Sequence, residues 1–447
     1  MATITASGVG SGLDINAIIS QLMAAEQQPL TNIDAKAQKI DARISAYGKI
    51  SSALSSLLSA AKALNTPTTI GAFTATLSDT TLGTATASTS AAAGAYTLNV
   101  TNLAKAHTLY STSYGGSTTV VGDGSLQITS GSNTFNVTID NTNHTLEGIR
   151  DAINASSSNT SVAASIVTDA NGARLVLSAK NTGSTNAISV VVTESGAPGL
   201  AQLSYTAGAF NLSEATPAQN AQLTINGIPI SSATNTISSA ITGVTLNLTK
   251  DSGTATLTVA RDSEGIKKAA ETFASAYSKL VSQVKSLTAF DSSTNTGSTL
   301  SGDGTTSLVM TRIRSTLGTV PTTLTGIYTT LSEVGISIQS DGSMSVNSAK
   351  LQTAIDNNFT DLKDVLGGYG KAVADAVDDL TDNNGAVTTR VASLTSSLHD
   401  LARRRLDVQD RLARIEANYR RQFSALDALV ASMNSTGSFL TQQLARL

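Results

Sequence analysis

The sequence predicts a multidomain α+β fold: an antiparallel helical coiled-coil stalk built from both chain ends, carrying a β-rich two-domain head. Three observations predict it. Apolar residues recur at heptad spacing near both ends of the chain. The intervening stretch, residues 66–260, alternates apolar and polar residues between turn signals. That stretch also holds only five basic residues, Lys105, Arg150, Arg174, Lys180 and Lys250, so the composition shifts where the periodicity does.

The first helical element follows the glycine-rich run Gly8-Val9-Gly10-Ser11-Gly12. Ile15, Ile18, Ile19 and Leu22 mark one face of a helix from Ser11 to about Gln28. Ser11 is the expected N-cap, with Asp14 three residues on in a capping-box-like pair. A phosphate-binding reading of the glycines fails, because a dinucleotide fingerprint needs GxGxxG after a buried strand and position 13 is Leu. Pro29 breaks this helix.

A second, longer helix follows. Ile33, Ala37, Ile40, Ile44, Tyr47, Ser51, Leu54, Leu58 and Ala61 step by four and three, a heptad seam with Ser51 as its polar member. Thirty residues of helix span roughly 45 Å. Pro67 fits a stop signal. Off the seam the helix exposes charged residues and small ones, among them Ser45, Ser52, Ser55, Ser56 and Ser59. These suit either a solvated surface or lateral assembly.

Strands are expected at 96–100, 135–139 and 175–177, with turns at Asp169-Ala170-Asn171-Gly172 and Asn226-Gly227. A short helix at 145–154 places Leu146, Ile149 and Ile153 on one face. Its length predicts two domains for the β-rich region.

The helical period returns at Ile266, Ala270, Phe273, Tyr277, Leu280, Val284 and Leu287. Residues 291–390 mix short helices with a strand pair, 335–338 and 343–346, joined at Asp341-Gly342. The last seam runs Val391, Leu394, Leu398, Leu401, Arg405, Val408, Leu412, Ile415, Tyr419, Gln422, Leu426, Leu429, Met433, Thr436 and Leu440. A stripe this narrow needs partner helices. An antiparallel stalk supplies them, with both termini at its foot.

Catalytic constellations are absent. His107, His144 and His399 lie far apart, with no HExxH, no GxSxG and no GxxxxGK[ST]. The stretch from Asp291 to Asp303 lacks the acidic spacing of a calcium loop. With no Cys, disulfides, thiolate nucleophiles and Cys-ligated metals are excluded. The expectation is therefore no enzyme, no cofactor and no metal. A formal net charge of −3 argues against nucleic acid. No run approaches 18 apolar residues, so no membrane segment is expected, and the first residues lack a secretory signal. Seven Arg (403, 404, 405, 411, 414, 420, 421) face Asp400, Asp407, Asp410 and Glu416. The favoured reading is a solvated helix face with pairs such as Asp407–Arg411 and Asp410–Arg414; the other is an electrostatic docking surface.

Five stretches in order resemble one family, the bacterial flagellar filament cap or hook-associated protein 2 family. They are GVGSGLDINAIISQLMAAEQQPL (8–30), GAYTLNVTNLAKAHTL (94–109), LTINGIPISSATNTISSAITGVTLNL (223–248), LSEVGISIQSDGSMSVNSAKLQTAIDNN (331–358) and YRRQFSALDALVASMNSTGSFLTQQLA (419–445). The third looks like a hairpin motif shared with other flagellar axial proteins, and 108–214 carries less specific similarity.

The resemblance implies terminal segments 1–40 and 410–447 that stay flexible until docked, and a stalk of 41–70 and 262–409 with a small α/β insert. It also implies an inner head of 71–107 and 215–261 and an outer, variable head of 108–214. The implied function is a structural cap at the distal tip of the flagellum. It forms a ring, commonly a pentamer, that promotes flagellin insertion and polymerisation. Flagellin, the hook-filament junction proteins and an export chaperone at the C-terminal helix are the implied partners. Export is expected through the flagellar secretion channel. Stalk-seam residues would be Ile33, Ile40, Ile44, Tyr47, Leu54, Leu58, Phe273, Tyr277, Leu280, Val284, Leu398, Leu401, Val408, Leu412, Ile415 and Tyr419. Filament-docking residues would be Ile15, Ile18, Ile19, Leu22, Leu426, Leu429, Met433 and Leu440. The alternatives are a filament or junction subunit, or a tip adhesin binding host glycans through the Ser/Thr-rich head.

Overall fold

The computed structural model describes residues 14–445. In chain order its first helices are α1 (Ile15–Glu26), α2 (Gln28–Leu64), the single-turn α3 (Pro67–Ile70) and α4 (Leu146–Ala155). They continue as α5 (Ser263–Thr288), α6 (Gly304–Gly318), α7 (Ser348–Asn357), α8 (Phe359–Thr381) and α9 (Ala386–Leu444). The chain divides into a terminal unit, residues up to Thr69 with Ile266 onward, and a middle unit, Ile70–Gly265. Helices from both ends and a β-rich middle are the α+β class the periodicity predicts.

The expected break between the first two helices falls at Gln27, and Pro29 stands in the first turn of α2, where its missing N–H costs nothing. The expected start at Ser11 is displaced. Ser11 lies outside the described residues, and α1 begins at Ile15 with Asp14 as its N-cap, accepting from Ala17 N at 3.0 Å. Asp14 therefore caps the helix through its own carboxylate.

In the terminal unit α2 packs on α8 and α9. It runs antiparallel to α9: Arg405 Nε meets Asp34 Oδ1 at 2.8 Å, and further along α2 Tyr47 meets the same Asp303 carboxylate as Arg390. Gly370 lets α8 approach α2 closely, since a Cβ there would stand 2.6 Å from Ala61 O and 3.0 Å from Leu64 Cβ. α5 buries Ile266, Ala270, Phe273, Tyr277, Leu280, Val284 and Leu287, the full heptad row. The strand pair Ile336–Ile338 and Met344–Val346 is antiparallel, and Ser278 of α5 fixes it by accepting from Met344 N at 2.9 Å.

The middle unit holds two cores. One lies between an antiparallel five-stranded sheet and a three-stranded one. The five strands run Phe73–Leu77, Gly253–Arg261, Gly94–Asn102, Ala221–Ile225 and Ile228–Ser232 in spatial order. Leu98, Leu223, Leu246 and Leu257 fill the space between the sheets. The hairpin at 225–228 turns through Asn226 and Gly227, both at positive φ (51° and 80°), as a two-residue turn of the primed type requires.

The other core joins a four-stranded sheet, a five-stranded sheet and α4, around Leu126, Ile128, Ile149, Ile153, Leu177 and Val190. α4 spans nearly the predicted residues, capped by Thr145 accepting from Gly148 N. His107 ties this core together. It is 2% exposed; its Nδ1 accepts from Ile188 N at 2.8 Å, so Nε2 carries the hydrogen and donates to Glu214 Oε1 at 2.9 Å. Strands Ala106–Tyr110 and Ser213–Thr216 pair with each other inside this outer core. The expected boundaries at 107/108 and 214/215 cut through both strands. The chain instead crosses at Lys105 and Gln219, whose backbones bond each other reciprocally.

A candidate docking surface on the terminal helices

The two terminal helices meet along their apolar stripes. Ile15, Ile19 and Met23 of α1 are buried against Leu412 of α9, with Val408, Ile415, Tyr419, Phe423 and Leu30 packed around them. Arg420 Nη1 reaches Asn16 Oδ1 at 3.3 Å, at the far end of the contact from Arg405 and Asp34. Thus α1 continues the antiparallel course of α2 along α9. This corrects one expectation: Ile15 and Ile19 are covered by their own chain and do not await a partner. Ile18 is half-buried and Leu22 is 38% exposed.

Beyond Phe423 no described residue packs over the same stripe on α9. Leu426, Leu429, Met433, Phe439, Leu440 and Leu444 are all exposed, Met433 by 65%. α9 runs 59 residues, about 88 Å at the helical rise, so its last five turns project past the contact with α1. Apolar side chains repeating along one helical stripe while exposed mark an interaction surface. Each fully buried side chain of this size contributes roughly 1.5–3 kcal/mol when removed from water.

The predicted seam residues divide into two groups. Tyr47, Leu54, Phe273, Tyr277, Leu280, Val284 and Leu412 are buried. Ile33, Ile40, Ile44, Leu58, Leu398, Leu401, Val408, Ile415 and Tyr419 are half-buried. The first group sits mostly where several helices converge. The second sits mostly where α2 and α9 face each other as a pair, which leaves one side of every seam residue open. Periodicity missed Ile50, Leu57 and Leu64, which are 1% exposed or less. On α2 the buried stripe runs 47, 50, 54, 57, 61 and 64, and Ser51 and Leu58 stand at its edge. Apolar residues at both 50 and 54 and at both 57 and 58 were the available signal: a stripe wider than a seam means partners on two sides.

The arginine-rich part of α9 forms different pairs from those expected. Among the described residues, Arg403 pairs with Asp400, Arg405 with Asp34, and Arg420 with Glu416. The predicted pairs Asp407–Arg411 and Asp410–Arg414 are not formed. The Asp34 pair has the larger consequence, because it crosses between helices and fixes their register.

A buried polar junction stabilises the other end of the α2–α9 pair. Asp303 caps α6 by accepting from Thr305 N and Thr306 N at 3.0 and 3.1 Å. It also receives the Tyr47 hydroxyl of α2 and, at 3.1 Å, Arg390 Nη2 of α9. Burial alone pushes this carboxyl upward. The Tyr47 hydroxyl, the Thr306 amide and Arg390 together outweigh that and bring it below the usual carboxylate range.

Among the described residues no three His, Asp or Glu side chains converge on a point, and no helix is long and apolar enough to cross a membrane. What the arrangement offers is a packed multi-helix body that extends a bare apolar stripe.

Similarity to known proteins agrees with that character. The family profile for the flagellar hook-associated protein 2 C-terminus matches residues 218–435, and the profile for its N-terminus matches 11–107. The flagellin hook IN motif matches 125–181. That match bears on one sequence expectation: residues 108–214 were expected to carry less specific similarity, and a motif shared with flagellins lies within them. Flagellar hook-associated protein 2 of Escherichia coli (strain K12) is 34% identical, over 99% of this chain and 98% of the relative. B-type flagellar hook-associated protein 2 of Pseudomonas aeruginosa is 31% identical, over 98% and 97%. The crystal structure of the flagellar cap protein FliD D1-D2-D3 domains from Escherichia coli superposes with a TM-score of 0.66 at 31% identity. It covers 78% of this chain and 99% of that one.

Proposed function

This chain belongs to the flagellar hook-associated protein 2 family and is a cap of the bacterial flagellar filament, and we propose how its two units divide that work. The middle unit forms the plate of a ring, commonly five copies in such assemblies, at the distal tip. The terminal unit is the leg that reaches the newest flagellin subunits. Flagellin inserts beneath the cap and polymerises instead of diffusing away. The driving energy comes from differential contacts between leg and filament, since association needs no bond chemistry.

One observation carries this reading: the α9 stripe is covered as far as Phe423 and bare from Leu426 to Leu444. Leu426, Leu429, Met433 and Leu440 are the filament-docking contacts. Ile18, half-buried, and Leu22, 38% exposed, add further contacts from α1. The half-buried seam of Ile33, Ile40 and Ile44 with Leu398 and Leu401 is completed by neighbouring subunits.

The same bare stripe suits an export chaperone before secretion, and the hook-filament junction proteins offer the cap its first seat. A chain without cysteine can pass the flagellar secretion channel unfolded, with no disulfide to reduce.

Removal of residues 425–447 tests the reading. The truncated protein is expected to keep its melting temperature and its ring. Imaged by negative stain, it is expected to be missing from filament tips. Truncated caps seated normally on growing filaments would refute the assignment of α9.

A further inference from the structure

We infer that Asn154 and Asn159 keep the outer core from joining a second copy of this chain edge to edge; the inference stands apart from the capping function. The four-stranded sheet runs Ser213–Thr216, Ala106–Tyr110, Gly172–Thr182 and Val162–Asp169 in spatial order, so Val162–Asp169 is an edge strand. Lys180 N donates to Ser161 O at 2.8 Å, and the register continues with Val162 opposite Ala179. An antiparallel ladder bonds every second residue, so Val162, Ala164, Ile166 and Thr168 turn their N–H and C=O groups outward. Side-chain amides occupy two of these positions. Asn154 of α4 donates from Nδ2 to Ala164 O at 2.7 Å and accepts from Ala164 N at 2.9 Å. Asn159 donates to Val162 O at 2.8 Å and accepts from Val162 N at 3.0 Å. Each amide makes the pair of bonds that a neighbouring strand would make. Among the described residues nothing bonds the outward groups of Ile166 and Thr168.

The run Val162-Ala163-Ala164-Ser165-Ile166-Val167-Thr168 has no charge, no proline and no glycine, and is rich in β-branched residues. That is the composition of a segment that adds to other strands. Other edges of the middle unit are blunted by other means. Ser213–Thr216 carries Glu214, Thr138 O on the edge strand Asn133–Ile139 accepts from Asn143 Nδ2 at 3.0 Å, and Ile228–Ser232 holds Pro229. At the edge 162–168 no such charge or proline stands, so closure falls to the two asparagines. The strand they hold off is the same edge of a second copy. Set antiparallel about Ser165, Val162 of one copy faces Thr168 of the other and Ala164 faces Ile166, so every outward group finds a partner. Such a two-fold contact is self-complementary. With both amides in place the open run is only Ile166 to Thr168, shorter than the roughly five or six residues of an ordinary strand. Val167, at its centre, is 53% exposed.

Light scattering and hydrogen exchange on the full-length protein at about 0.1 mM test this. The double variant Asn154→Ala, Asn159→Ala is expected to raise the mass about two-fold over that of the wild type. Its Ile166 and Thr168 amides are expected to exchange about ten-fold more slowly than in the wild type, because they become bonded between copies. If the asparagines only tie α4 and its following turn to the sheet, their loss would instead speed exchange along this strand. Val167→Lys added to the double variant sets a charge on the edge. It is expected to return the wild-type mass and the fast exchange without returning the melting temperature. Asn154→Ala alone extends the open run to Ala164 and is expected to move both readouts the same way by less. It decides the matter if the double variant does not fold. Exchange at Ile166 and Thr168 that is not slowed in the folded variants would overturn the inference, whatever their mass.

Discussion

The Tyr47 hydroxyl on α2 donates to Asp303, the N-cap of α6, across 256 residues of sequence, and Arg390 of α9 approaches the same carboxylate from the other side at 3.1 Å. One buried carboxylate thereby joins three helices that come from both ends of the chain. Asp303→Ala removes a helix cap and leaves Tyr47 and Arg390 without their acceptor. The expected loss is about 2–3 kcal/mol of terminal-unit stability, read as a lowered denaturant midpoint. Equal midpoints would show that the junction is dispensable.

The same carboxylate gives the terminal unit a pH dependence of known sign. Unfolded, Asp303 titrates at its ordinary value of 3.8; folded, it titrates lower. The ionised form is thus favoured by folding. Its contribution is fully present above pH 3.8 and is lost as pH falls through the lowered folded value. Denaturation curves of wild type and Asp303→Asn are expected to differ at about pH 7 and to converge only as pH falls below 3.8 and through the lowered folded value.

Gly370 sets the distance between α8 and α2. A side chain there would press on Ala61 O from 2.6 Å, and that atom is backbone and cannot rotate away. Gly370→Val is expected to separate the two helices and cost about 1–3 kcal/mol, although Val is a better helix former than Gly. A rise in melting temperature would show that propensity outweighs packing here.

In the outer core, His107→Ala strands the amide of Ile188 and opens a cavity beside Tyr205, whose ring centroid lies 5.5 Å from that of the imidazole. An expected loss of about 2–4 kcal/mol would be confined to the middle unit. Hydrogen exchange at Ile188 would rise first if the geometry is right. Protection unchanged at Ile188 would mean that another acceptor replaces the imidazole.

Much of the fold was legible because periodicity reports local geometry. The α5 row is buried residue for residue, α4 falls within a residue or two of its predicted span, and the hairpin at Asp341-Gly342 forms as its turn chemistry requires. What periodicity cannot report is how many partners a helix has. Ile50, Leu57 and Leu64 were missed because a second buried row exists only where a further helix, α8, lies against α2. Asp303 was invisible for a related reason. Its neighbours Gly302 and Gly304 read as loop, and its partners lie 256 and 87 residues away. In the docking surface, the sequence marked one continuous stripe from Val391 to Leu440. It could not mark where α1 stops covering it, since that point depends on the register fixed by Asp34 and Arg405.

The central claim is that the bare end of α9 docks on the filament. Leu429→Asp with Met433→Asp places two charges on that stripe at positions 58% and 65% exposed, where the cost to the isolated fold is about 0.5 kcal/mol or less. The most direct measurement is filament elongation in cells whose cap protein carries both substitutions, with the melting temperature of the purified variant measured beside it. The account predicts an unchanged melting temperature and flagellin released into the medium with short or absent filaments. Filaments of normal length on cells carrying the folded variant would contradict it.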